Sequence, residues 1–343
     1  MSFRQFVAAS VLAAALAGNL HDRAYYEAKF FGWLAEHKVE IGSGELFVKM
    51  IQNFADNDDI ITTSNAAKKS YTLAHNKFSH MSNAEFKAWV AKGGRFVKDS
   101  DSAPSAIHKA PALRSSLATE IDWTTKGAVT PVKDQGQCGS CWSFSTTGAI
   151  EGAYYNKYKT LESFSEQHLV DCDNLSHHFG RDHGCSGGLM DNAFNWIKKN
   201  EGICTESAYP YVSGTTKTEG TCNESQCTKN AKSAPSSYVD VEANSDSAFM
   251  SALNIGPVSI AIEADESAFQ LYSSGVLTAA CGTNLDHGVL AVGYGTLDGI
   301  DYYKVKNSWG ESWGLDGYIL LQRGVSQKEG QCGLLSAASY PVL

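Results

Sequence analysis

Two cysteines three positions apart, with a histidine and an asparagine far downstream, are the residues of this 343-residue sequence best equipped for chemistry. They lie in Gln135-Gly-Gln-Cys138-Gly-Ser-Cys141-Trp142, Leu285-Asp-His287-Gly288 and Lys306-Asn307-Ser-Trp309-Gly310. A Cys-x-x-Cys pair can be a redox couple, half of a zinc site, or a nucleophile beside a structural cysteine. The redox reading wants a βαβ context directly around the pair, and none surrounds it. The zinc reading wants a second close pair, and the sequence has no other Cys-x-x-Cys. The third reading makes Cys141 a thiol nucleophile at a helix start, where the helix N-terminus and an adjacent imidazole favour the thiolate. His287 would take the thiol proton and return it to the leaving amine. Asn307 would orient the ring, with Trp309 shielding their bond from water. The Gln135 side-chain amide and the Cys141 backbone N–H would form an oxyanion hole, at about 3–4 kcal/mol per donor.

These groups need rigid elements to hold them. The sequence predicts a helix from Cys141 to about Tyr158, a short helix after Ser165, and a third over about Leu189 to Lys199. Strands are predicted at Val258–Ile262, His287–Tyr294, Tyr302–Lys306 and Tyr318–Leu321. Helices first and strands later predict an α+β fold with two lobes. Ahead of this body, Tyr26, Phe30, Trp33 and Leu34 recur at helical spacing, and a second helix is expected over roughly Glu45 to Asn65. Ser82 and Glu85 form a capping box that opens a third helix, and Gly93-Gly94 stops it. Residues 95–117, with Pro104 and Pro111, read as an extended, exposed linker.

The charge divides along the same line. Residues 1–117 carry a net +3 and residues 118–343 a net −12, so leader and body attract at neutral pH and less so in acid. The overall net charge of −9 and the lack of a basic stripe argue against nucleic-acid binding. Arg4, the apolar run Phe6 to Ala17 and the small-x-small Ala15-Leu16-Ala17 read as a secretory signal peptide over 1–17. No later stretch reaches membrane length. All nine cysteines lie at or beyond residue 138, and in a secreted chain their odd number leaves a free thiol. Asn174 and Asn223 head glycosylation sequons.

The pattern Cys138-Gly-Ser-Cys141-Trp142, with its distant His and Asn, resembles the papain family and within it the cathepsin L type. Gly184-Cys185-Ser186-Gly-Gly-Leu-Met190 resembles a second family motif, with Ser186 where Asn is usual. The ending Cys332-Gly-Leu-Leu-Ser-Ala337 is similar to cathepsin L. The resemblance implies an α-helical left lobe, a β-barrel right lobe and a helical inhibitory propeptide: signal 1–17, propeptide 18–117, peptidase 118–343. In the leader, Phe54, Asn57, Ile61, Asn65 and Asn76-x-Phe78 keep family spacing. His80 replaces the usual Asp, and reads as a tolerated surface change or, alternatively, a pH sensor.

The resemblance further implies disulfides Cys138–Cys185, Cys172–Cys222 and Cys281–Cys332, leaving Cys204 and Cys227 as a candidate fourth pair. It implies a pocket for the second residue before the cleaved bond (P2), lined by Leu189, Met190, Ala261, Leu285, Gly288 and Ala337, that favours apolar groups. Gly187 and Gly188 would bind substrate backbone. Asp286 reads as a solvated charge, and Trp142 and Trp313 as core. The loop between Cys172 and Cys185 holds His177, His178 and His183. It reads as a solvated loop, with a pH-dependent pocket edge as the sharper alternative and metal binding the least favoured. The function expected is a monomeric, acid-activated cysteine endopeptidase that acts on polypeptides without cofactor or metal, in a lysosome, digestive vacuole or extracellular fluid. The alternative classes are an inactive secreted binding module and a disulfide-rich structural protein.

Overall fold

The computed structural model describes residues 16, 18–97, 103–110, 117–177 and 179–343. The expected signal segment, apart from Leu16, lies outside them, as do Pro111, Ser116 and His178. Among the described residues, no helix is long and apolar enough to cross a membrane.

The leader begins with two helices, α1 (Arg23–His37) and α2 (Gly44–Ala66). Asp22 and Ser43 cap them by accepting backbone N–H bonds in the first turn. Tyr26, Phe30 and Trp33 of α1 and Met50, Ile51 and Phe54 of α2 are the buried stripes, and they form a cluster separate from the main core. Strand β1 (Tyr71–Leu73) follows, then α3 (Asn83–Val90), which opens on the expected Ser82–Glu85 capping box. The spaced asparagines tie these pieces together. Asn57 donates to the carbonyls of Ser79 and Met81, and Asn65 exchanges two bonds with Leu73.

His80 is half-buried rather than a freely exposed surface residue. Its ring packs against Trp33 at 5.2 Å between centroids and lies within hydrogen-bond reach of the Lys77 backbone. The residues before and after it, Ser79 and Met81, are pinned by Asn57, which turns residue 80 inward.

The body's helices are α4 (Cys141–Tyr158), α5 (Glu166–Cys172), α6 (Met190–Lys199) and α7 (Asp246–Leu253), besides single-turn segments. Its strands are β3 (Ile121–Asp122), β4 (Ser237–Val241), β5 (Val258–Ile262), β6 (Tyr272–Leu277), β7 (His287–Leu297), β8 (Ile300–Lys306), β9 (Tyr318–Gln322) and β10 (Ala338–Val342). They run in the order β6-β9-β8-β7-β5-β10-β4, with β3 paired to β7. The helices of 141–199 and this sheet give the expected α+β, two-part arrangement. Helix α4 is buried along most of its length, because it packs on both sides of the molecule. Ser145 donates to the Val289 carbonyl, and Ser259 donates to the Ser145 carbonyl, which clips α4 to β7 and β5.

The leader supplies a strand at each end of the sheet. Strand β1 pairs antiparallel with β6. A second leader strand, β2 (Ala106–His108), pairs parallel with β4. Parts of the stretch read as an exposed linker therefore pack on the body. Phe96 is buried, and the open edge of β4 offers 106–108 backbone partners that composition does not reveal.

Candidate active site

Cys141 is the first residue of α4, so its thiol stands where the helix has unpaired N–H groups. His287 is the first residue of β7 and pairs with Ile262, the last residue of β5. The thiol lies within hydrogen-bond reach of the Gly288 backbone, next to His287. His287 Nε2 donates to Asn307 Oδ1 at 2.7 Å, which leaves Nδ1 as the basic nitrogen of the ring. That orientation is enforced twice. The Ser308 N–H also donates to Asn307 Oδ1 at 2.8 Å, and Trp309 stacks on the imidazole with centroids 4.7 Å apart. Cys141, His287 and Asn307 are all buried.

Gln135 is buried beside them. Its Nε2 donates to the Cys138 carbonyl at 3.0 Å, and its Oε1 accepts from Ser308 Oγ at 2.8 Å. One N–H of the amide is committed and the other remains. Sequence reasoning did not single out Ser308, although it stands inside the Asn307-Ser-Trp309 motif. It connects the two halves of the site through one hydroxyl.

The leader lies across all of this. After α3 the chain passes through Ala91, Lys92, Gly93 and Gly94 directly over the thiol. A Cβ at Gly93 would come within 2.7 Å of Cys141 Sγ. Gly187, at φ +111°, faces the Gly93 carbonyl so closely that a Cβ there would stand 2.6 Å from it. Glycine at both positions permits this approach. Phe96 donates its N–H to the Leu285 carbonyl at 3.2 Å and presses its ring on Gly288. Phe96 and the expected P2-pocket residues Leu189, Met190, Ala261, Leu285 and Ala337 line one cavity of about 570 Å³. Gly288 lies against the same Phe96 ring.

Covering the site changes its electrostatics. Burial pushes the Cys141 thiol up to about 12, against the pull of backbone N–H groups from Gly288 and Trp142. Burial likewise pulls His287 down to about 4, although the Asn307 bond works in the opposite direction. Both groups are neutral near pH 7 in the covered state. The thiolate–imidazolium pair expected from the helix start and the imidazole is suppressed here by exclusion of water. Asp286 is half-buried rather than fully solvated. It accepts the Ala264 N–H at 2.8 Å, and burial, aided by the charges of Asp265 and Glu263, raises it to about 7.

Further contacts fix the leader in place. Phe78, Phe86 and Trp89 surround Trp309 edge-on, with centroids 5.2, 5.6 and 5.4 Å away. Asn76 donates to the Gln270 carbonyl at 2.8 Å. The expected charge attraction takes the form of Lys77 on Asp134 at 2.6 Å and Lys87 between Asp265 and Glu266.

The structure joins Cys138–Cys185, Cys172–Cys222, Cys204–Cys227 and Cys281–Cys332, and Cys141 is the free cysteine. Trp142 and Trp313 are fully buried, as core residues should be. Of the two sequon asparagines, Asn223 is exposed and accepts from Ser225 Oγ, whereas Asn174 is half-buried and spends its amide on the Asp171 carbonyl.

Comparison with known proteins accords with this geometry. Residues 117–342 match the papain family cysteine proteases, and residues 30–86 match the cathepsin propeptide inhibitor domain. Vignain of Vigna mungo is 44% identical over 315 residues, covering 90% of this chain and 83% of its own. The proform of the ragweed pollen cysteine protease Amb a 11 superposes with a TM-score of 0.80 at 35% identity, covering 94% of this chain and 95% of that one. Digestive procathepsin L 3 of Tenebrio molitor larval midgut gives a TM-score of 0.77 at 36% identity, covering 93% and 99%. The chain is a cysteine endopeptidase zymogen of the papain family, its body held together with its inhibitory propeptide.

Proposed function

We propose that Cys141 is the nucleophile, His287 the general base and then general acid, and Asn307 the group that orients His287. The observation that carries this reading is the Gly93 backbone seated on the one free thiol, beside an imidazole already fixed by Asn307. With the leader gone, the thiol proton passes to His287 Nδ1, and the thiolate attacks the scissile carbonyl. The carbonyl's developing negative charge is met by the Cys141 backbone N–H and the uncommitted N–H of Gln135. His287 gives its proton to the departing amine, and water then releases the acyl group. Substrate backbone runs along Gly187 and Gly188, and Leu189, Met190, Ala261, Leu285, Gly288 and Ala337 receive an apolar side chain at P2. Phe96 already places such a ring against these residues, while Lys109, Asp191, Asp240 and Glu242 line other parts of the same cavity. Trp309 keeps water from the His287–Asn307 bond.

Activation by acid is part of this reading. In the leader, His37 and His80 flank Trp33, and burial lowers both imidazoles below their ordinary value. The Lys77 backbone and then Glu85 raise His80 somewhat, and the two histidines oppose each other's charge. A base held below its unfolded value contributes stability above about pH 6.5 and loses it as pH falls, because the unfolded leader takes the proton more readily. The ion pairs of Lys77 and Lys87 weaken in the same direction once their carboxylates protonate.

The boundaries follow: a signal segment over 1–17, a propeptide over 18–117 and the peptidase from 118. Supporting the last, Ala118 is anchored by its N–H to Asn254 Oδ1 and by its carbonyl to the Tyr294 hydroxyl. The enzyme would be a monomer acting on polypeptides in a lysosome or digestive vacuole, with extracellular fluid as the other destination, and glycosylated at Asn223. The test is cleavage of peptides with Phe, Leu or Arg at P2 by acid-processed protein. Faster cleavage of the peptides with Phe and Leu at P2 supports the pocket assignment; preference for Arg there would refute it.

A further inference from the structure

Behind the segment that carries Gly187 and Gly188 lie two buried carboxyls that no salt bridge reaches among the described residues. Asp173 ends α5 as its C-cap, and Asp182 stands in the loop that returns to Cys185. Asp173 Oδ1 accepts the Arg181 N–H at 3.1 Å. Asp182 Oδ1 accepts the Leu189 N–H at 2.9 Å and Asn192 Nδ2 at 3.1 Å. The remaining oxygen of each, Oδ2, is buried with no donor among the described residues, and the two carboxyls stand against each other. Two acceptors can bond only through a proton held between them.

This pair touches the substrate-binding backbone directly. A Cβ at Gly188 would lie 2.8 Å from Asp182 Cγ, with the Trp142 indole on the same side. The next residue of the loop, His183, donates its N–H to the Gly187 carbonyl at 2.9 Å. The loop thus braces three consecutive residues: Gly187 through its carbonyl, Gly188 by contact, and Leu189 through its N–H. Leu189 is also a wall of the P2 pocket.

We propose that Asp173 and Asp182 act as a positioning pair for substrate: the proton between them holds Asp182 against Gly188 and Leu189, and loss of that neutrality loosens the binding segment. The inference rests on the substrate-binding role proposed above for Gly187–Leu189. Burial is the main cause that raises both acids, Asp173 to about 7 and Asp182 well above the ordinary carboxylate range. The cost of the buried charge therefore grows as pH rises, and a proton leaves near neutrality. Lys199, at the end of α6, offsets part of the Asp173 charge. The other charged groups packed nearby are Arg181 and His183 of the same loop and Glu219, whose carboxylate accepts the Cys185 N–H at 3.4 Å. The loop is thus a proton-sensitive brace of the pocket through its aspartates, whereas the sequence drew attention to its histidines.

The experiment measures kcat and KM of the mature enzyme from pH 5 to 8.5 on a fluorogenic peptide with Phe at P2, for the native protein, Asp182→Asn, Asp182→Ala and Asp173→Asn. The native KM should rise about fivefold to tenfold between pH 5.5 and 8 while kcat follows its own profile. Asp182→Asn keeps the shape, the acceptor for Leu189 and a permanent donor to Asp173, so its KM should vary by less than about twofold over that range. Asp182→Ala should raise KM at every pH with kcat nearly unchanged. Native and Asp182→Asn profiles that superimpose, or a loss confined to kcat, would overturn the proposal. Should a residue-182 variant fail to fold, Asp173→Asn gives the same reading, since its amide donates to Asp182 without titrating. A native enzyme that cleaves nothing would sink the peptidase reading and this one with it; cleavage with superimposed profiles sinks this one alone.

Discussion

Residues 18–66 bury Tyr26, Phe30, Trp33, Met50, Ile51 and Phe54 in a cluster of their own with no cystine, whereas residues 118–343 close around four disulfides and a continuous core. Between them, Tyr71, Leu73, Phe78, Phe86, Trp89, Val90 and Phe96 belong to the leader by sequence but to the body's core by packing. The head is held by apolar contacts and carries the half-buried His37, whose imidazole burial lowers. The body is held by covalent links that do not respond to pH. A zymogen needs this difference, since one part must let go under conditions that leave the other intact.

Substitutions in the shared segment should separate the two regions most sharply. Trp89→Ala removes a ring packed on Phe78 and Trp309 and should cost about 3–5 kcal/mol of closure, exposing the site at neutral pH. Hydrolysis by the uncut full-length variant would be the readout. If it stays silent, the clamp lies elsewhere. Next in size is the body's covalent frame. Replacing Cys281 and Cys332 by serine should destabilise the body of the full chain by about 2–5 kcal/mol in denaturant unfolding and leave the α1–α2 head unchanged. An equal loss in the head would erase the distinction between the regions.

His80→Phe should keep the contact with Trp33 and remove the titration. Release of the leader at pH 5 should then slow severalfold, with little change at pH 7.5, followed as activity against time. Unchanged acid kinetics would return the sensing role to the ion pairs. The smallest effect belongs to those pairs. Lys77→Ala breaks a partly exposed contact with Asp134 and should weaken leader binding by no more than about 1 kcal/mol, less in high salt.

The sequence displayed most of what local physics controls. The apolar period of Tyr26, Phe30 and Trp33, the Ser82–Glu85 cap and the run from Cys141 to Tyr158 all became the expected helices. Strands β5, β7 and β9 were also legible, because their apolar runs are buried on both faces, and β8 through the alternation that buries Tyr303 and Val305. Strands β2, β4, β6 and β10 were not, since each depends on an edge offered by a distant segment. The site residues stood out through motif and spacing. Ser308's link to Gln135, the inward turn of His80 and the burial of Asp286 depend on what folds over them. The histidines of loop 173–184 drew attention because their chemistry is familiar. Asp173 and Asp182 become conspicuous only when their burial is seen.

The account turns on a single thiol covered by the leader's backbone. Its most direct test is hydrolysis of a fluorogenic Phe-Arg peptide by the full chain, before and after acid treatment, beside a Cys141→Ser control. Activity that appears with the loss of about 100 residues, in proportion to a domain's worth of chain, and that the control lacks is the result predicted here. Full activity in the uncut chain, or cleavage by the serine variant at the native rate, would contradict it.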